Sequence, residues 1–153
     1  MSLMMLQDFA TFADELDHPE GVTWGPDGFV YAGGEAGQIY RIDLNTGRTT
    51  VMGNTGGFIL GLCLDSDGNV YACDTGHHAV MRITQNGEVT AYSHGLPDRK
   101  MVTPNYPAFD SAGNLYVSDS GSWHGDDGCF KTRSLGQCLD IQIDCAKDVE
   151  AAS

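Results

Sequence analysis

The sequence predicts an all-β fold built from a repeated four-stranded unit, and three observations carry that prediction. The segments WGPDGFVYAGG from Trp24, LDSDGNVYACD from Leu64 and FDSAGNLYVSD from Phe109 match one another. Their central glycines, Gly28, Gly68 and Gly113, are spaced by 40 and 45 residues, and Tyr31, Tyr71 and Tyr116 each follow their glycine by three positions. Short alternating or apolar runs separated by turn residues fill the intervals, with only a weak helical pattern near residues 8–16. Self-similarity at a fixed period decides a fold, and four antiparallel strands per 40 to 45 residues is the blade of a β-propeller. The expected architecture is a single domain over residues 1–153, an all-β partial propeller of about three four-stranded antiparallel blades.

The units follow in order. Unit one spans about residues 18–53; after its matched segment come a third strand, QIYRID, the turn LNTG and a fourth strand, RTTVM. Unit two, about 58–93, is the clearest: strands LGLCLD, NVYACD, AVMRIT and EVTAY are joined by SDG, TGHH and QNG. Asn86 and Gly87 suit a tight type I′ hairpin, whose central positions both need positive φ. Unit three, about 104–145, is less regular. After LYVSDSG come an inserted SWHGDDG, then CFKTR, SLGQ and CLDIQIDC. Leu139, Ile141 and Ile143 alternate with Asp140, Gln142 and Asp144, which reads either as a fourth strand completing that blade or, equally, as an unrelated or disordered ending. Residues 146–153 read as a frayed tail. A closed propeller takes at least four blades, so three leave open edges or belong to something larger.

Composition narrows the function. Against 21 acidic residues stand only 8 basic ones, giving a net charge of −13. Such a chain repels nucleic acid and anionic membrane surfaces and favours cations near a site. The five cysteines, Cys63, Cys73, Cys129, Cys138 and Cys145, form no CxxC pair, so neither a disulfide framework nor a zinc ribbon is indicated. Cys63 and Cys73 fall in strand runs, where a thiol acts as a small apolar group. MSLMMLQDF lacks a basic region and a long apolar core, no apolar run approaches the roughly 20 residues of a membrane span, and the default is a reduced cytoplasmic protein. There is no G-x-S-x-G elbow or P-loop, and MGNTGGFILG precedes a strand rather than a helix.

Aligning the units places Trp24, Leu64 and Phe109 at equivalent positions; four residues earlier lie Glu20, Leu60 and Asn105. The first strand of each blade lines a propeller's channel, so Glu20 and Asn105 stand at its mouth. A carboxylate and an amide carbonyl are hard oxygen ligands, suited to calcium or magnesium. His18, Pro19, Pro104 and Pro107 flank these points and stiffen the chain. The plainer alternatives are a solvated Glu20 and a local turn bond from Asn105. The conspicuous DGNVYACDTGHHAVMRI, with Asp74, His77 and His78, looks like a metal site, yet Asp74 recurs as Asp119 but is Gly34 in unit one. Asp74 is expected to bond the following turn, and the histidines to fill a loop away from the channel mouth.

HPEGVTWGPDGFVYAGGEAGQIYRID resembles the start of the senescence marker protein/gluconolactonase/luciferin-regenerating enzyme family of six-bladed propellers, and TPNYPAFDSAGNLYVSDSGSW is similar to its third blade. GNVYACDTGHHAVMRI is also similar to NHL-type repeats. The resemblance covers roughly residues 9–130 and implies half of a six-bladed propeller, with a sugar-lactone hydrolase activity that uses one divalent cation, calcium first and zinc or magnesium as alternatives. It makes Glu20 the first-blade metal ligand and Asn105 the substrate-facing asparagine, with a lactone or sugar acid as partner. The family's other ligands, an asparagine and an aspartate that doubles as base, come from later blades. Thr103 stands where the family often has an arginine, with Arg99 further back, and the sequence after Gly128 departs from the pattern. A truncated or frame-shifted, weakly active or inactive chain is the expectation, with catalysis itself left open. The other readings are a non-catalytic NHL-like binding module using the SGSWHGDDG loop (Trp123, His124, Asp126, Asp127), and a homodimer that pairs open blade edges to restore six blades.

Overall fold

The computed structural model describes residues 10–122 and the backbone of residues 138–143. No helix occurs among them. Blade one consists of β1 (Val22–Trp24), β2 (Val30–Gly33), β3 (Gln38–Ile42) and β4 (Thr49–Asn54), and blade two of β5 (Ile59–Leu64), β6 (Val70–Asp74), β7 (Ala79–Ile83) and β8 (Val89–Ser93). Both are antiparallel meanders in sequence order. A two-stranded ribbon, β9 (Gly95–Leu96) with β10 (Arg99–Lys100), leads to the third sheet, β11 (Pro104–Phe109), β12 (Leu115–Asp119) and β13 (Cys138–Ile143). The ribbon has no counterpart between blades one and two and no repeat signal in the sequence.

One expectation changes here. Of the two readings of the alternating run at 139–143, a strand of blade three holds, but not as the fourth: β13 pairs directly with β12, matching Leu115 to Ile143 and Val117 to Leu139, and so takes the third place. Alternation marks a two-sided strand and is silent on which neighbour it pairs with. The SWHGDDG insertion from Trp123 on, with His124, Asp126 and Asp127, and the tail at 146–153 lie outside the described residues.

The repeated motif is a turn. In all three blades the residue after the first strand accepts from the glycine three positions on: Gly28 donates to Gly25, Gly68 to Asp65 and Gly113 to Asp110, at 3.0–3.2 Å. These glycines sit at φ +80 to +86°, a left-handed conformation that costs an L side chain energy. Asp65 and Asp110 lock the turn with near-identical bonds; each takes the amide N–H and the side-chain Nδ2 of the asparagine four residues later, at 2.8–2.9 Å. In blade one the carboxylate stands two places on. Asp27 accepts from Tyr31 Oη at 2.8 Å and from Arg41 Nη2 at 2.7 Å, and the guanidinium lies 3.5 Å over the Phe29 ring. The turn at Asn86–Gly87 differs from the expected type I′: only Gly87 is at positive φ, and Gly87 donates to Thr84 at 2.9 Å. It is the same glycine-closed turn as the others, which leaves one residue bulged at the hairpin end.

Because side chains alternate across a strand, each blade has two faces. Tyr31 and Ile39 of blade one pack with Ile59, Leu62, Val70, Ala72, Met81 and Ile83 of blade two. The opposite face of blade two, with Tyr71, Cys73 and Val80, packs with Leu115 and Val117 of blade three. Tyr71 meets the rings of Tyr92 and Phe109 edge-on, with centroids 4.9 and 5.0 Å apart. The repeat tyrosine is thus the forward contact of blades one and two, while in blade three Tyr116 bonds Asp110 of its own turn. The rear face of blade one carries Ala32, Tyr40 and Ile42 beneath Ala13 and Leu16 of the leading segment, while Val22, Trp24 and Val51 at its flanks are exposed.

Cys63 and Cys73 are free thiols. Burial, aided by the neighbouring Asp65, pushes Cys63 up to about 12, and burial raises Cys73 further. Since the thiolate is the reactive form, neither cysteine is expected to alkylate in the folded chain near pH 8, and both should react on unfolding; peptide mapping after iodoacetamide treatment reads this directly.

Candidate functional site

The site begins with a buried carboxylate. Asp74, at the end of β6, is fully buried. One oxygen accepts from the backbone N–H groups of Phe58 (3.1 Å) and His77 (3.0 Å), and the other takes His77 Nδ1 at 2.9 Å. The bond to the following turn matches the sequence reading; the bond to Phe58 adds a second function, since it fixes the chain just before β5. Asp119 does the same in blade three, holding Val102 N–H at 2.8 Å, Thr103 N–H at 3.1 Å and, on its own turn, Gly121 N–H at 2.8 Å. Blade one has Gly34 at this place. There Asp17 supplies the tether from the opposite side, accepting from Ala36 N–H at 3.0 Å and Gln38 Nε2 at 3.1 Å.

These tethers set how the innermost strands begin. The β5–β6 register slips between Ile59 and Leu62, and that of β11–β12 between Pro104 and Tyr106. Leu60 and Asn105 sit at these bulges. A bulge re-aims a side chain that regular pairing would bury in the sheet. Adjacent innermost strands also touch backbone to backbone. A Cβ on Gly21 would meet the Leu60 carbonyl, and one on Gly61 would lie 2.7 Å from the Asn105 carbonyl oxygen and 2.8 Å from Tyr106 Cα. Only glycine permits that approach.

The result is an open cleft of about 580 Å³, lined by Glu20, Leu60, Asn105, His78, Thr103 and Tyr106 among others. All three positions that the repeat alignment placed at the mouth, Glu20, Leu60 and Asn105, line this one cleft. Glu20 is exposed. Asn105 donates from Nδ2 to Ser120 Oγ at 2.8 Å, so its carbonyl oxygen is the atom offered to the cleft. His78 corrects the sequence reading: it lines the same cleft instead of a remote loop, because the β6–β7 turn that Asp74 organises folds over the start of β5. Asp74 and His77 themselves form the support behind it. The sequence signal for His78 was its place immediately before β7, where blade one has Gly37.

The donor set is short for a resident cation. Among the described residues no three His, Cys, Asp or Glu side chains come together to hold a metal ion. Calcium takes six to eight oxygens, and Glu20 with Asn105 supplies two residues toward that number. The residues present do not make a metal centre by themselves.

A segment of a β-propeller with a polar cleft at the starts of its innermost strands is the class these features define. A sequence profile of the NHL repeat matches residues 57–82, and one for the strictosidine synthase-like N-terminal region matches residues 6–42. Among solved structures, the chain is similar to a gluconolactonase from Xanthomonas campestris (TM-score 0.65, 18% identity, covering 72% of this chain and 37% of that one). It is also similar to virginiamycin B lyase from Staphylococcus aureus (0.57, 19%, 70% and 36%) and to the aldose sugar dehydrogenase of Streptomyces coelicolor (0.57, 26%, 72% and 40%). The chain therefore spans well under half the length of these proteins, and the likeness shows the fold. No curated protein sequence matches it significantly. No helix among the described residues is long and apolar enough to cross a membrane.

Two mutations test the construction. Gly61→Ala is expected to cost about 1–3 kcal/mol in urea unfolding, since β11 must move off β5. Asp74→Ala should cost about 2–4 kcal/mol, because it strands the Phe58 and His77 N–H groups. Burial alone would raise the Asp74 carboxyl, but hydrogen bonds from Thr55, His77 and Phe58 outweigh it and hold it below the ordinary 3.8. A depressed folded-state value means that this stabilisation is complete above the unfolded value and fades as pH falls through the folded one. Wild type should accordingly lose more stability than Asp74→Ala between about pH 5 and about pH 2.

Proposed function

We propose that the cleft binds a small oxygen-rich ligand of the lactone or sugar-acid class, and that the chain by itself hydrolyses lactones weakly or not at all. The observation that carries this reading is the convergence of Glu20, Leu60 and Asn105, up to 85 residues apart, on one cleft. The fold shared with a gluconolactonase supports the ligand class. The Asn105 carbonyl and the hydroxyl of Thr103 suit sugar hydroxyls, and the exposed Tyr106 ring offers a face to the apolar side of a sugar ring. Glu20 gives the cleft a negative end that favours a cation over a free carboxylate, so a divalent ion, calcium ahead of zinc or magnesium, would help a sugar acid bind. With two protein ligands such an ion is held weakly and exchanges with solvent, which is why hydrolysis is expected to be slow.

Calorimetric titration of the full chain with gluconolactone and gluconate, with and without calcium, tests the proposal. Saturable binding, weakened about tenfold by Asn105→Ala, is expected, which corresponds to about 1.4 kcal/mol. Lactone turnover in the same samples should lie near the uncatalysed rate. Absence of binding by either compound overturns the ligand class. Fast calcium- or zinc-dependent hydrolysis abolished by Glu20→Ala overturns the weak-activity assignment.

A further inference from the structure

We infer that His78 is the proton-accepting residue of the cleft, a role that rests on the lactone or sugar-acid reading above and adds a chemical step to it. Three observations carry the assignment. First, His78 lines the cleft and is exposed, so a ligand or a water can reach its ring. Second, its Nδ1 is hydrogen-bonded to the backbone carbonyl of Val102, the residue whose own N–H is held by Asp119. A carbonyl only accepts, so the proton of the neutral ring lies on Nδ1 and Nε2 carries the lone pair. Orienting one ring nitrogen on a fixed backbone acceptor is the arrangement that makes the other a positioned base.

Third, the backbone is held where histidine is disfavoured. His78 has φ +52°. The equivalent position in blade one, also the residue immediately before the third strand, is Gly37 at φ +84°. The fold thus asks for a left-handed residue here, glycine meets the request in blade one, and blade two has a histidine instead. Glu15 and His18 are the other described non-glycine residues at positive φ, and both lie in the leading segment outside the strands. A strained backbone at a cleft residue directs attention to what its side chain can do.

The step is a water attack. A water bound to Nε2 gives its proton to that nitrogen as its oxygen bonds to the lactone carbonyl carbon, and the carbonyl electron pair moves to oxygen. When the carbonyl re-forms, the ring C–O bond breaks, and the departing oxygen takes the proton from the imidazolium. Lactone and water become the hydroxy acid, and the ring returns to its neutral form. The charged groups around the histidine are Glu20 across the cleft, the Asp74–His77 pair on its own turn and Asp119 behind Val102.

The test uses the full-length chain and p-nitrophenyl acetate, an activated ester whose good leaving group makes a weak base measurable. Wild type is expected to accelerate ester hydrolysis measurably above the rate in buffer alone. His78→Asn, which tolerates the left-handed backbone but has no ring, should lose that acceleration at least about tenfold. His78→Gly should lose it equally while melting at or above the wild-type temperature. His94→Asn, an exposed histidine on another segment, should change nothing. A His78→Asn rate equal to wild type overturns the assignment, as does a His78→Gly variant that melts well below wild type, which would make the residue structural. If the ester rate depends on His78 but gluconolactone and gluconate neither bind nor compete, the histidine assignment stands and the ligand class falls.

Discussion

Much of this molecule depends on one carboxylate. Asp74 has no exposure to water, and its bonds go to two places that must be held relative to each other: the chain before β5 and the turn before β7. The first carries Leu60 into the cleft, and the second carries His78. A buried charge is tolerable only when its oxygens are satisfied, so the surroundings are obliged to supply donors in fixed directions. That obligation positions the cleft. Asp119 repeats the device one blade on, where it holds Val102 and Thr103 ahead of Asn105.

The blades then add what a single tether cannot. Blades one and two present their tyrosine faces to the blade that follows, and the glycines at the strand starts let neighbouring innermost strands approach within backbone contact. Side-chain packing on the outer parts and backbone packing on the inner parts tilt the blades so that successive first strands converge. Glu20, Leu60 and Asn105 meet for that reason, with Leu60 and Asn105 leaving their sheets at bulges and Glu20 standing just before β1.

The fold was largely legible because its signals are local. The turn glycines need positive φ, Tyr31 and Tyr71 pack on the blade that follows, and both residue types recur at nearly fixed spacing, so the four-stranded repeat could be read from the alignment. What escaped was non-local. The place of β13 depends on which strand edge β12 offers, and alternation in CLDIQIDC says nothing about that. The Asn86–Gly87 turn was misread because the dipeptide fits two hairpin geometries that differ in the φ of one residue. His78 was assigned to a remote loop because reading along the chain treats the β6–β7 turn as distant from the strand start, whereas Asp74 folds one onto the other. Blade one, with Gly34 and Asp17 in place of the buried aspartate, reaches the same end by a different bond, which sequence alignment could not foresee.

The central claim is that residues from three blades form one ligand site. The most direct measurement is a nuclear magnetic resonance titration of the full chain with gluconate, following the Glu20 and Asn105 backbone amides, the Leu60 methyl groups and the His78 ring together. The account predicts that all four respond with a single shared binding constant. Responses confined to one blade, or residues that titrate with different constants, would contradict it.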